Sequence, residues 1–352
     1  MARTGIHDLA RHLGLTVGTV SRALNNRPEV NEKTRERVME AALAIGYAPN
    51  QSGRSLRTGA TNTIGFMLES GTASAIGGGD FFASTVGGLQ RVLSARGLDL
   101  ILLPCGPGEA PYDFLRRIIL RGFVDGLIIS ATQRHDRRIE LLVRSKLPFV
   151  ALGRSAVPIE HAWIDLDFEG VAHDAVRRLA DHGHRRIAAA LPASEINLGY
   201  VFRDAYRAAM AERGLPLDPD LEIAIDVSEE GGVVLADRLV ALQPRPTAVV
   251  LINELMAIGL YHRLSQLGLT PGRDLAVIGF RDNPQVRFLS PRLSCYHVAL
   301  TELGVSLGET LLASMSPPSE PSTDRPARQH LWPLEYVRGE SDGIRVGTGA
   351  QG

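Results

Sequence analysis

The chain has 352 residues, of which 44% are hydrophobic, 5% aromatic and 22% charged, with a formal net charge of −1. This length suits two or three compact units whose cores are filled mainly by aliphatic side chains. No run of about 18 apolar residues is present, which excludes a membrane-spanning helix, and "MARTGIHDLARHLGL" has no signal-peptide apolar segment. Two distant cysteines, Cys105 and Cys295, fit a reduced, cytoplasmic chain better than a disulfide framework. The near-zero charge hides an asymmetry: residues 1–60 carry nine Lys and Arg against five Asp and Glu, a net of +4, leaving −5 on the rest. A small basic head on a mildly acidic body points to a nucleic-acid contact confined to the head.

In chain order, "IHDLARHLGL" places Ile6, Leu9, Ala10 and Leu13 at helical spacing, and Gly14 stops that helix. Thr16 caps a second helix, "VGTVSRALN", with Val17, Val20, Ala23 and Leu24 on its apolar face. Asn31 caps a third, whose apolar face is Val38, Ala41, Ala42 and Ile45 and whose end is marked by Gly46. Two short helices joined by a tight Gly-containing turn form a helix-turn-helix. Its second helix enters the major groove N-terminus first, which makes Val17, Gly18 and Arg22 the expected base-facing positions. Arg22 offers a bidentate bond to guanine. Thr16, Thr19, Ser21 and Asn25 suit the N-terminal turn and the phosphates that fix register.

The stretch "NQSGRSLRTG" follows, with one large apolar residue, Leu56, among polar, basic and Gly positions. A helix of about eight residues is too short to stand alone in water, and Gly53 weakens it by about 1 kcal/mol relative to Ala. From Thr63 onward, short apolar runs ("TIGFML", "LDLILL", "DGLIIS", "PFVAL", "RIAAAL", "TAVVLI", "LAVIGF") alternate with amphipathic helical segments. Alternation of this kind implies parallel sheets covered by helices, with ligands bound at the carboxyl ends of the strands. About 280 residues is long for one sheet, so two similar subdomains are expected. The Gly-rich "GTASAIGGGDFF" lacks a GxxxxGK[ST] pattern and reads as a loop rather than a phosphate cradle. "SPPSEPSTDRP" reads as a surface linker.

The segment "IHDLARHLGLTVGTVSRALNNRPEVNEKTRERVMEAALAIGYAPN" closely resembles the N-terminal domain of the LacI/GalR family of bacterial regulators, and a weaker likeness runs on to "LWPLEYVRGES". The resemblance implies a small all-α head (residues 1–49), a hinge helix and linker (50–62), and an α/β body (63–340) of periplasmic-binding-protein type. Its N-subdomain would span about 63–161 and 291–320 and its C-subdomain 162–290 and 321–340, with a flexible tail at 341–352. It implies that paired hinge helices lie in the minor groove, with Leu56 wedged at the central base step. Asn50, Gly53, Arg54 and Arg57 belong to the same DNA-binding set, the two arginines serving phosphates.

The effector set implied for the cleft is Glu69, Phe81, Phe82, Arg154, Tyr200, Arg203, Asn253 and Arg281, with one of the two Phe expected in the core. Three positions depart from the family. Val201 and Asp204 replace an Arg and a Gly, leaving Tyr200 and Arg203 as shifted substitutes, and Arg281 stands where an acceptor Asp is usual. An Arg cannot accept a hydrogen bond. It suits an anionic effector or neutralises an acid such as Glu254. His182 and His184 in "DHGHRRI" match a family turn, a helix end and strand start, rather than a metal site.

No CxxC, HExxH or GxSxG motif suggests an enzyme, and no cofactor or metal is expected. The reading is a sugar-responsive repressor of carbohydrate genes, a homodimer on a pseudo-palindromic operator, with no membrane partner. The alternatives are a ligand sensor or transport protein without DNA binding, which residues 1–49 oppose, and a regulator of non-sugar metabolism answering an anion.

Overall fold

Gly14 and Asn31 set the boundaries of the three helices in the head: α1 (Ile6–Leu13), α2 (Val17–Leu24) and α3 (Glu32–Ala44). Gly14 adopts the left-handed conformation that closes α1, and Asn31 Oδ1 accepts the Thr34 amide at 2.8 Å to start α3. Leu9, Val20 and Val38, one from each helix, are fully buried against one another's faces and surrounded by Ala10, Ala23, Ala41 and Ala42. Two of the basic residues hold this core closed. Arg35 Nη2 donates to the Val30 carbonyl at 3.0 Å, and Arg37 Nη2 donates to the Leu13 carbonyl at 3.1 Å. The computed structural model describes residues 5–25, 27–47, 59–69, 78–106, 108–316 and 328–343. It divides into two units, residues 1–61 and 62–352.

The second unit contains two six-stranded sheets. The first combines β1 (Thr63–Glu69), β2 (Asp99–Cys105), β3 (Gly126–Ile129), β4 (Phe149–Leu152), β5 (Trp163–Leu166) and β11 (Gln329–Trp332). Their order is β11-β5-β4-β3-β1-β2, all parallel. The second combines β6 (Ile187–Pro192), β7 (Glu222–Ile225), β8 (Ala248–Leu251), β9 (Ala276–Arg281), β10 (Ser294–His297) and β12 (Glu335–Val337) in the order β12-β10-β9-β8-β6-β7, with β12 antiparallel. β3, β4 and β8 are buried at every residue, as expected of parallel strands covered on both faces. Among the covering helices are α4 (Gly78–Ser94), α5 (Pro111–Arg121), α6 (Arg137–Ser145) and α11 (Leu300–Met315) in the first lobe. The second has α7 (Phe168–Asp181), α8 (Asn197–Glu212), α9 (Glu229–Ala241) and α10 (Leu255–Gln266). The cysteines fall in different lobes, both buried and free.

The sheets move the expected crossings between lobes. β5 still belongs to the first sheet, so the first crossing follows Leu166 rather than residue 161. β10 joins the second sheet, which puts the next crossing between His297 and Leu300 rather than near 291. β11 is again in the first sheet, so the last crossing is at residues 333–334 and not in the Pro-rich stretch. Residues 317–327 lie outside the described part. Ser341 and Asp342, expected in a flexible tail, are instead buried. Ser341 Oγ donates to Val277 O at 2.6 Å, and Asp342 Oδ1 accepts from Ser294 Oγ at 2.6 Å.

Both lobes use one device to bring helices together. In the first, a Cβ on Gly88 of α4 would lie 1.9 Å from Thr301 O, and one on Gly304 of α11 would lie 2.0 Å from Thr85 O. In the second, a Cβ on Gly232 of α9 would lie 2.1 Å from Met256 O, and one on Gly259 of α10 would lie 1.7 Å from Glu229 O. Each pair packs backbone against backbone, and no side chain fits between. Gly259→Ala is therefore expected to overpack the second lobe by about 2–3 kcal/mol and lower its thermal midpoint by several degrees. An unchanged midpoint in a melting experiment would contradict the contact.

Candidate functional site

The head presents the first turns of α2 to solvent. Thr16 is exposed, and its Oγ1 accepts the Thr19 amide at 3.1 Å while lying 2.9 Å from the Thr19 hydroxyl. Gly18 and Arg22 are exposed one helical turn apart, and the Arg22 guanidinium lies 3.6 Å from where a Gly18 Cβ would be. Val17 is half-buried against the head's core, which takes most of it away from the outer face. Ser21 and Asn25 are half-buried, and Asn25 Nδ2 donates to Ser21 O at 2.6 Å, closing the end of the helix. The outer face of α2 is thus a bare backbone patch at Gly18 beside one guanidinium. Asn50, Gly53, Arg54, Leu56 and Arg57, together with loop 70–77, lie outside the described residues.

In the body, the carboxyl ends of the strands meet at a seam between the lobes. The antiparallel bridge Gln133–Ile196 crosses it, as do the hydrogen bonds from Asn197 N to Thr132 O (2.8 Å) and from Asn197 Nδ2 to Arg154 O (2.9 Å). Phe168 stacks on Phe280 with ring centroids 4.9 Å apart. Between these contacts lies a cavity of about 30 Å³ lined by Phe81, Thr132, Arg154, Asp165, Phe168 and Ile196, among others. A larger hollow of about 610 Å³ runs past Pro148, Phe149 and Ala162, at the amino ends of β4 and β5. Ligands of such sheets bind at the opposite ends of the strands, so the seam is the candidate site.

Arg281 ends β9 and is 1% exposed. It forms an ion pair with the fully buried Glu254, reaches Asp80 of α4 at 3.2 Å across the seam, and stands 5.5 Å over the Phe81 ring. Burial raises the Glu254 carboxyl above its ordinary range, and Arg281 works against that shift. Phe81 is 1% exposed and lines the cavity. Phe82 is half-buried, packs edge-on against Phe66, and is not among the cavity's lining residues. Asn253 Oδ1 accepts the Leu255 amide at 2.8 Å, a helix-starting role inside the second lobe.

Arg154 lines the cavity and sits between Asp165 (Nε to Oδ2, 3.2 Å) and Glu169. Glu69, at the end of β1, pairs with Arg138, a 2% exposed side chain that also binds Asp136 and the Ser130 and Ala131 carbonyls. Tyr200 and Arg203 lie elsewhere. The Tyr200 hydroxyl donates to Glu195, and Arg134 and Arg203 stack on its ring at 4.7 and 5.0 Å. They border a separate surface hollow with Pro192 and Glu222. His182 and His184 bind the Asp342 and Gly343 carbonyls at the end of α7 and the approach to β6.

The structure therefore gathers Phe81, Arg154 and Arg281 around one cavity, sets Glu69 behind Arg138, and leaves Phe82, Tyr200, Arg203 and Asn253 outside its lining. Sequence reasoning missed Asp80, Arg138, Asp165, Phe168 and Asn197. Asp165 lies on the four-residue β5, too short to mark itself by periodicity. Burial pushes its carboxyl from the ordinary 3.8 up to about 7, with Arg154 pulling it down by less. The folded protein holds this proton more tightly than the unfolded chain does. The stabilisation is thus complete below about pH 4 and lost as pH rises through about 7. Asp165→Asn is expected to flatten that decline, which is about 4 kcal/mol at most for a shift of this size. Denaturant titrations across that window, with parallel profiles for the two proteins, would contradict the assignment.

Residues 5–50 match the family described as bacterial regulatory proteins, lacI family, and residues 176–341 match the periplasmic binding protein-like domain. The chain is 32% identical to the HTH-type transcriptional regulator AglR of Rhizobium meliloti, over 98% of this chain and 94% of that protein. It is 29% identical to the ribose operon repressor of Escherichia coli, over 95% and 98% of the two chains. A solved regulatory protein of LacI family from Chloroflexus aggregans is 29% identical with a TM-score of 0.70, covering 81% of this chain and 99% of that one.

Proposed function

The chain belongs to the lacI family of bacterial regulatory proteins, DNA-binding transcriptional regulators, and we propose that its cleft is a ligand-operated joint that sets operator affinity. The size of the seam cavity carries this reading. About 30 Å³ holds a single water, whereas small-molecule pockets typically enclose roughly 300–1,000 Å³. A ligand that enters between the lobes must move them apart and break seam contacts such as Arg281–Asp80 and Asn197–Thr132. It therefore has different affinities for the two arrangements, which is the thermodynamic requirement for shifting their populations.

The ligand is a sugar, a reading supported by likeness to a ribose operon repressor. It acts as an inducer, lowering operator affinity. The protein works as a cytoplasmic homodimer that places two heads on the half-sites of a pseudo-palindrome, and it performs no catalysis. On the DNA, the bare backbone at Gly18 lets α2 approach the base edges closely, and Arg22 reads a guanine beside it. Leu56 serves as the wedge at the centre of the operator.

In gel-shift titrations on the operator, Arg22→Ala is expected to cost about 1–3 kcal/mol and to relax preference at one base pair per half-site. A uniform loss across all sequences would reduce Arg22 to a phosphate contact. Wild-type binding should weaken steeply with salt, because each neutralised phosphate releases counterions, and it should weaken further on adding the effector. No retarded band at any salt concentration would overturn the operator reading.

A further inference from the structure

Three arginines border the cleft, and each is held between two carboxylates. Arg281 lies between Glu254 and Asp80, Arg154 between Asp165 and Glu169, and Arg138 between Glu69 and Asp136. The three clusters converge on one space. Arg154 and Asp165 line the cavity directly, Arg281 stands over its Phe81 wall, and Arg138 holds the carbonyl of Ala131, another lining residue. Six carboxyl groups thus face three guanidiniums. Arg134 and Arg203 stack on Tyr200 beside Glu195 and Asp204 and, unlike Arg154, are not in the cavity wall. Asp282, next to Arg281, is engaged by Arg287.

The acceptor capacity is not exhausted. Glu254 is fully buried, and its Oε2 has no hydrogen-bond partner among the described residues. An ionised carboxylate accepts hydrogen bonds and donates none. A ligand meeting these groups is favoured for supplying O–H or N–H donors. A ligand bringing its own carboxylate or phosphate adds like charge in a poorly hydrated space, and among the described residues the guanidinium in the cavity wall, that of Arg154, already carries two acids. Burial is the main cause of the raised Asp165 carboxyl, and Glu169 adds only a small push in the same direction.

We propose that the cleft selects a donor-rich, non-anionic small molecule, a neutral polyol or its amino counterpart, and rejects carboxylated and phosphorylated ligands. The proposal rests on the reading that the effector occupies this cleft. It makes Arg281 a cross-seam clamp rather than an anion receptor and assigns Asp80 and Glu169, the two more exposed acids of the clusters, a role in specificity.

The test uses the full-length protein and Asp80→Asn/Glu169→Gln, which leaves Arg281 with Glu254 and Arg154 with Asp165. Thermal shift and calorimetry compare a set of sugars, each as the neutral, amino, uronic acid and phosphate form, with sulfate as a separate probe. Neutral or amino forms should bind at least about tenfold more tightly than the acid and phosphate forms, and the double variant should narrow that ratio. Amino over neutral would mark an ammonium as the favoured donor, and parity would mark hydroxyls. An acid or phosphate form that binds the wild type as tightly as its neutral parent, or a ratio unchanged in the double variant, would overturn the proposal. Sulfate should stabilise the double variant more than the wild type, and the reverse order would also overturn it. If no sugar binds but sulfate follows the expected order, the sugar reading fails while the exclusion of anions stands.

Discussion

A guanidinium buried to 1% exposure at the junction of two lobes is the constraint on which the body's arrangement depends. Removing Arg281 from water costs several kcal/mol unless good partners surround it. Glu254 pairs with it from the same lobe, and Asp80 reaches it from the opposite lobe. The buried charge gains its Asp80 partner only when the lobes meet as they do here. Phe81 adds an aromatic face to the same guanidinium and a wall to the cavity. One side chain therefore couples the end of β9, the start of α10 and the first turn of α4.

The seam's other contacts have the same two-sided character. Asn197 spends its backbone amide and its side-chain amide on two carbonyls of the first lobe, Thr132 and Arg154. Beneath the seam, each lobe is made stiff by a helix pair packed through reciprocal glycines. Stiff lobes joined by a few directional contacts move as bodies rather than deform, because packed interiors are not continuously compressible. Under the proposed function, a ligand at the seam acts on the angle between the lobes.

Much of this fold was legible in the amino-acid order. Continuous apolar runs such as "DGLIIS" and "TAVVLI" marked strands buried on both faces, and the caps Thr16 and Asn31 marked the helix starts. The unmarked strands were short and partly polar: "WIDL", "EIAI", "SCYH", "QHLW" and "EYV". Three or four residues carry too little periodicity to distinguish a strand from a loop, and four of these five flank the crossings between lobes. That is why the crossings were misplaced. At the site, Arg281 announced itself as a misfit, and Glu254 was named as its possible partner. Asp80 could not be found, because it lies 201 residues away and nothing local in "GGGDFF" marks it as a clamp. Asn253 follows a strand in the sequence, and in the fold its Oδ1 accepts the Leu255 amide at the start of the next helix.

The central claim is that the Arg281–Asp80 contact holds the lobes together and that their separation governs operator affinity. Spin labels on exposed positions of α5 and α9 report the distance between lobes in the full-length protein, measured alongside operator affinity. Asp80→Asn is expected to lengthen and broaden that distance distribution and to change operator affinity in the same direction as the effector does. An unchanged distance distribution in Asp80→Asn, or a changed distribution with operator affinity unaltered, would contradict the account.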